Sequence, residues 1–281
     1  MAIRNFLQCL VCFLISSPML FANPIPPGSP LYQFDAAGSG VVSNAGVVTG
    51  WADETGLLPA GTNGGGATLG SFDFPAGTFP TVNLDGGHYG NNAGFNYGRQ
   101  VATEFGTNDD FSIFAVVVPN NQQSRFMVGN FNGGTGMGLG ISDGLANEIK
   151  WWTSAGSAAL VSGQADYTPG EAISQAAVWS GNGSGGGEKF SYVNGIEIAS
   201  DTNPGLGAPS YNGNNEFRIG SAQGLVQDWG GQIAEILVYQ DDTVGADVQT
   251  YFNDKYFVPE PGSFTLLAMA AIGLIGFRRK K

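Results

Sequence analysis

The stretch Lys189 to Ser200, KFSYVNGIEIAS, constrains the fold more than any other. Phe190 to Val193 and Ile196 to Ala199 are two short apolar-rich runs joined by Asn194-Gly195. A two-residue Asn-Gly loop accepts positive φ at both positions, which suits the type I′ turn that matches the twist of paired strands. The stretch therefore predicts an antiparallel hairpin and an all-β setting around it.

The neighbouring runs agree. Leu31 to Phe34, Val47 to Trp51 and Thr81 to Leu84 are strand candidates, and Phe126 to Val128 continues the same pattern. Phe111 to Val118, FSIFAVVV, is apolar throughout, as expected of a central strand covered on both faces. Ala172 to Trp179, Glu216 to Gly220 and Gln232 to Tyr239 are further strands. Ala60 to Gly70 is glycine-rich and reads as a surface loop, and Asn91 to Gly98 as a turn-rich connection. Val248, Tyr251, Phe252 and Tyr256 fall at helical spacing, so a short helix beginning near Asp242 or Thr243 should close the domain.

In GTGMGLGI, Gly134, Gly136, Gly138 and Gly140 recur at period two and share one strand face. A face without side chains admits either a sugar ring or bulky neighbours, and the second is the commoner use. Trp151 and Trp152 are adjacent, so a strand sends them to opposite sides. One belongs in the core, and the other is a stacking platform or a half-buried edge residue.

Both cysteines, Cys9 and Cys12, lie in the first apolar segment. Residues 1–22 carry Arg4, an apolar run and small residues toward Ala22, the layout of a secretory signal peptide. A Pro-rich leader, residues 23–30, follows. Residues 31–257 read as one β domain, with no internal boundary or repeat. Within residues 23–260, six basic residues face 23 acidic ones, a net of −17. Such a surface repels phosphate backbones and argues against nucleic acid as a partner.

The other terminus has three parts in order: Val258-Pro259-Glu260-Pro261, an apolar run of 14 residues from Phe264 to Phe277, and Arg278-Arg279-Lys280-Lys281. The run is short against the ~20 residues that span a bilayer. The basic cluster would stay cytoplasmic. This order resembles the PEP-CTERM sorting tail of Gram-negative bacteria over residues 258–281. The resemblance implies an exosortase-type processing enzyme as partner, transient anchoring in the inner membrane, and release to the cell surface or matrix. A plain C-terminal anchor is the simpler alternative.

FSIFAVVVPN, the "YVNG" hairpin, FRIGS and WGGQIAEILVY followed by a short helix together resemble the LamG-like jelly-roll domain of the concanavalin A-like superfamily. Ala234 stands where that family often has an acidic residue. The resemblance implies a two-sheet antiparallel jelly-roll sandwich. It also implies a structural Ca²⁺ as a possible cofactor, for which Asp53, Asp85 and Asp228 are loop acids near glycines. Trp152, Tyr211 and Trp229 are candidate exposed aromatics for stacking on an extracellular polysaccharide.

Paired carboxylates on one strand, as sugar-cleaving relatives carry them, do not occur, and Glu197 and Glu235 are isolated in apolar strands. The single histidine, His88, sits in a GGHYG turn. The expected role is non-catalytic, by carbohydrate binding or adhesion. The alternatives are a polysaccharide hydrolase or lyase, and a structural or protein-binding matrix component.

Overall fold

The computed structural model describes residues 25–63, 65–85, 94–100, 110–120, 126–130, 136–141, 148–153, 160–164, 167–182, 186–202, 209, 216–221 and 229–258. Within these, the side chains at 85, 99–100, 148, 150, 152–153 and 160–164 lie outside the description. The signal-peptide segment 1–22 and the apolar run Phe264 to Phe277, along with His88, Tyr211 and Asp228, also lie outside the described residues.

The strands form two antiparallel layers. One layer is built on β17 (Gly230–Tyr239). It pairs along one side with β6 (Gly77–Asp85) and then β1 (Tyr32–Asp35), and along the other with β8 (Phe111–Pro119). Beyond β8 come β13 (Ile173–Gly181), β14 (Gly187–Val193) and β15 (Ile196–Asp201). β5 (Ala67–Phe74) completes a hairpin with β6. The second layer runs β2 (Val41–Asn44), β3 (Val47–Trp51), β4 (Gly61–Asn63), β7 (Phe95–Gln100), β16 (Glu216–Ile219), β9 (Phe126–Gly129), β10 (Met137–Ile141), β11 (Glu148–Thr153) and β12 (Leu160–Gln164). This is the expected all-β sandwich.

Strand parity sorts the side chains. Phe111, Ile113, Ala115 and Val117 of β8 face the core between the layers, with Ala177 and Trp179 of β13. Phe114, Val116 and Val118 face outward into a second apolar cluster. That cluster is covered by α1 (Gly245–Phe252) and a π-helical turn (Asn253–Phe257). The tip of the β5–β6 hairpin adds Phe72, Phe74 and Phe79. The predicted helical face is the buried one: Val248, Tyr251, Phe252 and Tyr256.

The Asn-Gly turn has the expected geometry, with φ of 51° at Asn194 and 76° at Gly195. Two sequence expectations are corrected. Part of the supposed loop Ala60 to Gly70 is strand, since β4 and the start of β5 lie in it. The supposed connection Asn91 to Gly98 contains the start of β7. Bulky neighbours explain a glycine of the Gly-alternating stretch: a Cβ on Gly138 would collide with the Phe126 ring.

Candidate functional site

A groove of about 670 Å³ opens on the outer face of the β8–β13–β14 sheet, beside the amino end of α1. Its floor follows from register. Ala176 lies opposite Phe114 on β8 and opposite Tyr192 on β14, and Val178 lies opposite Phe190. The floor residues on β13 are small, so the aromatic groups on either side stand above them. Phe190 and Tyr192 are both half-buried and, two residues apart, share one face of β14. Burial, then the nearby Glu197 carboxylate, raises the Tyr192 phenol above its usual range.

Polar groups edge the groove. Ser180 lies opposite Glu188 at the open end of the β13–β14 pair. Asp242, Thr243 and Gln249 line it from the side of α1. The segment carrying Asp242 is fixed at both ends of a tight turn. The Thr243 backbone N–H and hydroxyl donate to Asp241 Oδ1, each at 2.7 Å, and hold the Asp241 carboxyl below its usual range. The Ser112 hydroxyl donates to the Asp241 carbonyl at 2.6 Å. Gln249 accepts from the Ser174 hydroxyl at 3.0 Å and donates to Asn253 at 3.0 Å, so its orientation is set.

The residues singled out from sequence are not brought together here. Trp229, expected at the surface, is fully buried in the core and offers no stacking platform. Its place is dictated by β17, which it immediately precedes, and by its backbone N–H donating to the Gly220 carbonyl at 2.8 Å. Trp151 is the core member of its pair, with its ring edge-on to Phe111 at 6.1 Å. Trp152 lies in β11 opposite Gly138 and Leu160, and its side chain is outside the description. Tyr211 lies outside the described residues.

Asp53 is not arranged as a metal ligand. Its Oδ1 accepts from the backbone N–H groups of Gln33 (2.8 Å) and Thr55 (3.1 Å). Its Oδ2 accepts from the Thr55 hydroxyl and the N–H groups of Leu57 (3.0 Å) and Leu58 (3.2 Å). Both oxygens are committed to donors, and the residue organises the turn after β3. Asp85 ends β6 opposite Gly230, with its side chain outside the description, and Asp228 is outside altogether. Among the described residues, no three His, Cys, Asp or Glu side chains gather as a metal site would.

A second polar cluster lies beneath the helix. Glu235, fully buried, accepts from the Tyr251 hydroxyl (2.9 Å), the Tyr256 hydroxyl (3.0 Å) and Lys255 Nζ (3.0 Å). Lys255 also donates to Asp35 Oδ2 at 2.7 Å. Burial pushes the Glu235 carboxyl up to about 7, against the pull of Lys255. Burial works to lower the Lys255 ammonium, but Glu235 and Asp35 outweigh it and the net shift is upward. A bulge aims Glu235 here: Ile233 pairs with Val117 but Glu235 with Val116, leaving Ala234 as the extra residue.

A family model of the concanavalin A-like lectin/glucanases superfamily matches residues 90–249. The chain belongs to that superfamily. A second model, the PEP-CTERM protein-sorting motif, matches residues 257–280. That motif implies export, sorting to the cell envelope or surface, and exosortase-type processing. Of its residues, Val258 is described. It is half-exposed, and its N–H donates to the Asn253 carbonyl at 2.8 Å. Pro259, Glu260, Pro261 and the cluster Arg278 to Lys281 lie outside the described residues. No helix among the described residues is long and apolar enough to cross a membrane.

No curated protein matches the chain. Solved structures do. Domain 4 of AbnA, a GH43 extracellular arabinanase from Geobacillus stearothermophilus solved with arabinotriose, is 20% identical with a TM-score of 0.51. That match covers 71% of this chain and 91% of that one. The binding domain of botulinum neurotoxin DC, solved with SialylT, is 11% identical with a TM-score of 0.54, covering 82% of this superfamily member and 52% of the toxin chain. Trypanosoma rangeli sialidase, solved with the inhibitor DANA, is 14% identical with a TM-score of 0.52, over 89% of this chain and 37% of that chain. At such identities the likeness shows the fold alone.

Sequence reasoning found the hairpin that carries Phe190 and Tyr192 but not the groove. The signal was present in the period-two set Glu188, Phe190 and Tyr192. What was missing was the position of the helix, which covers part of that face and leaves the rest open.

Proposed function

We propose that this concanavalin A-like chain is a non-catalytic, exported carbohydrate-binding protein of the cell surface or extracellular matrix, and that the groove beside α1 is its binding site. The observation that carries the reading is the pairing of half-buried Phe190 and Tyr192 with a polar rim of Glu188, Ser180, Asp242 and Thr243. Aromatic faces cover the apolar side of a sugar ring, while carboxylates and hydroxyls bond its hydroxyl groups. Export from a Gram-negative cell, with the tail held briefly in the inner membrane and then removed, brings such a groove to surface polysaccharide.

Glu188 and Asp242 share one groove, which gives a hydrolase reading its specific observation. A general acid, however, holds its proton through burial. Glu235 has that burial, and it is sealed beneath the helix among Tyr251, Lys255 and Tyr256, away from the groove.

The test is a polysaccharide screen of the purified full chain, with Ca²⁺ and with EDTA. The expected outcome is saturable binding without turnover, lost in Phe190→Ala with Tyr192→Ala. Turnover abolished by Glu188→Gln or Asp242→Asn would replace the binding reading with an enzymatic one. Binding or melting temperature that falls in EDTA would show that Ca²⁺ supports the fold or the site.

A further inference from the structure

We infer that the groove takes amine-bearing polysaccharide, a polymer of hexosamines with free amino groups, and rejects polymers carrying carboxylates. The inference rests on the binding reading above and adds the charge class of the ligand.

Three observations carry it. Glu188 enters the groove from β14 and Asp242 from the segment before α1, so carboxylates stand on both flanks. Among the described residues, no Lys or Arg lines it. Both carboxylates are carried on fixed backbone: Glu188 is paired with Ser180 of β13, and the Asp242 turn is tied by Ser112 and Thr243. A ring lying along Phe190 and Tyr192 over the small side chains of Ala176 and Val178 would present its substituents to these two groups.

Magnitudes decide the sign. The amino end of α1 also faces the groove, and a helix amino terminus carries roughly half a positive charge. Two full carboxylates outweigh it, and Asp247 in the first turn of α1 already complements it. A carboxylated sugar would meet two like charges on a domain whose net charge is −17 over residues 23–260. A protonated amine gains hydrogen bonds that are charge-assisted at both partners, roughly twice as strong as neutral ones.

The probes are a poly-N-acetylhexosamine, the same polymer with its acetyl groups removed, and a polyuronate. They are applied to the purified full chain at about pH 6, where ordinary amines are protonated. The expected result is about tenfold tighter binding to the deacetylated polymer than to the acetylated one. The polyuronate should not bind. Glu188→Gln with Asp242→Asn should remove that tenfold preference, so that the two hexosamine polymers bind alike.

A remote pair, Asp73→Asn with Asp254→Asn, removes the same charge from exposed positions away from the groove and should change nothing. An equal loss in both double variants would show diffuse attraction to an acidic protein and overturn the inference. Equal affinity for the two hexosamine polymers, or binding of the polyuronate, would overturn it while leaving the carbohydrate reading intact. Binding to no polymer at all would overturn both.

Discussion

The two faces of the β8–β13–β14 sheet are built from alternate residues of the same strands, yet they do different work. The inner face is closed: Phe111, Ile113, Ala177 and Trp179 are at most 1% exposed and pack into the core between the layers. Even its polar members are sealed. Gln175, Ser191 and Lys189 are all buried, and burial pushes the Lys189 ammonium down to about 8, against the pull of Asp201. The outer face is divided. One part is covered by α1, the π-helical turn and the β5–β6 tip, and the other is left as the groove. Closing one face completely supplies the stability that lets part of the other stay open, with aromatic side chains only half-buried.

Truncating one aromatic on each face tests that division most severely. Trp179→Ala empties the inner face at a fully buried site and should cost about 4 kcal/mol. Its indole packs tightly against Gly187, where a Cβ would stand 2.7 Å from it, so its removal empties that contact. Phe190→Ala lies one strand away on the outer face and should cost less, about 2 kcal/mol, because part of its surface already meets solvent. Chemical denaturation of the two variants is the measurement. Equal losses would mean that Phe190 is a core residue and that the groove is not an open site.

The sheets were legible in sequence where one signal was strong. Asn194-Gly195, the unbroken apolar run of β8 and the spacing of Val248, Tyr251, Phe252 and Tyr256 each specify one element locally. β2 was not legible, because its turn uses Ala45 at a φ of 52°, a position where Asn or Gly is the usual signal. β5 was hidden by the glycines that precede it and by its exposed polar residues. The groove depends on where a helix lies across a strand face, and no strand encodes that alone. Glu235 shows the limit most plainly. Counting by twos from Ile233, which is in the inner core, would place it inside, and only the bulge at Ala234 turns it outward.

The covered part of the outer face should carry a pH signature through Glu235. Its carboxyl titrates near 7 in the folded chain, raised from an ordinary 4.5, chiefly by burial. Between those values the folded state binds the proton more tightly than the unfolded chain, so this group's contribution to stability falls as pH rises from about 4.5 to about 7. A shift of that size corresponds to about 3 kcal/mol across the window. Lys255 works in a different range: its raised ammonium stabilises the fold below its ordinary 10.5, and that contribution is lost at higher pH. Glu235→Gln keeps an acceptor for the two tyrosine hydroxyls and removes the titration. Denaturation of both proteins across pH 4.5 to 7 should therefore show the variant losing less stability than the native chain. Parallel curves would mean that the cluster is not sealed, and the covered part of the face would then resemble the open one.

The smallest expected effect lies where the covered and open parts meet. Gly195 has a φ of 76°, and a Cβ there would stand 2.9 Å from Cγ of Gln249 on α1. Gly195→Ala should cost about 1 kcal/mol for the left-handed backbone alone. It should also displace Gln249, whose amide ties Ser174 to Asn253 and whose side chain lines the groove. Stability and ligand affinity should then fall together, affinity by a few-fold, since the helix wall moves with the turn. A loss of stability with affinity unchanged would separate the two: the turn would matter to the fold, but the groove would be shaped by β13 and β14 without the helix. That outcome would move the recognising surface onto Phe190, Tyr192 and Glu188 and leave Asp242 outside it.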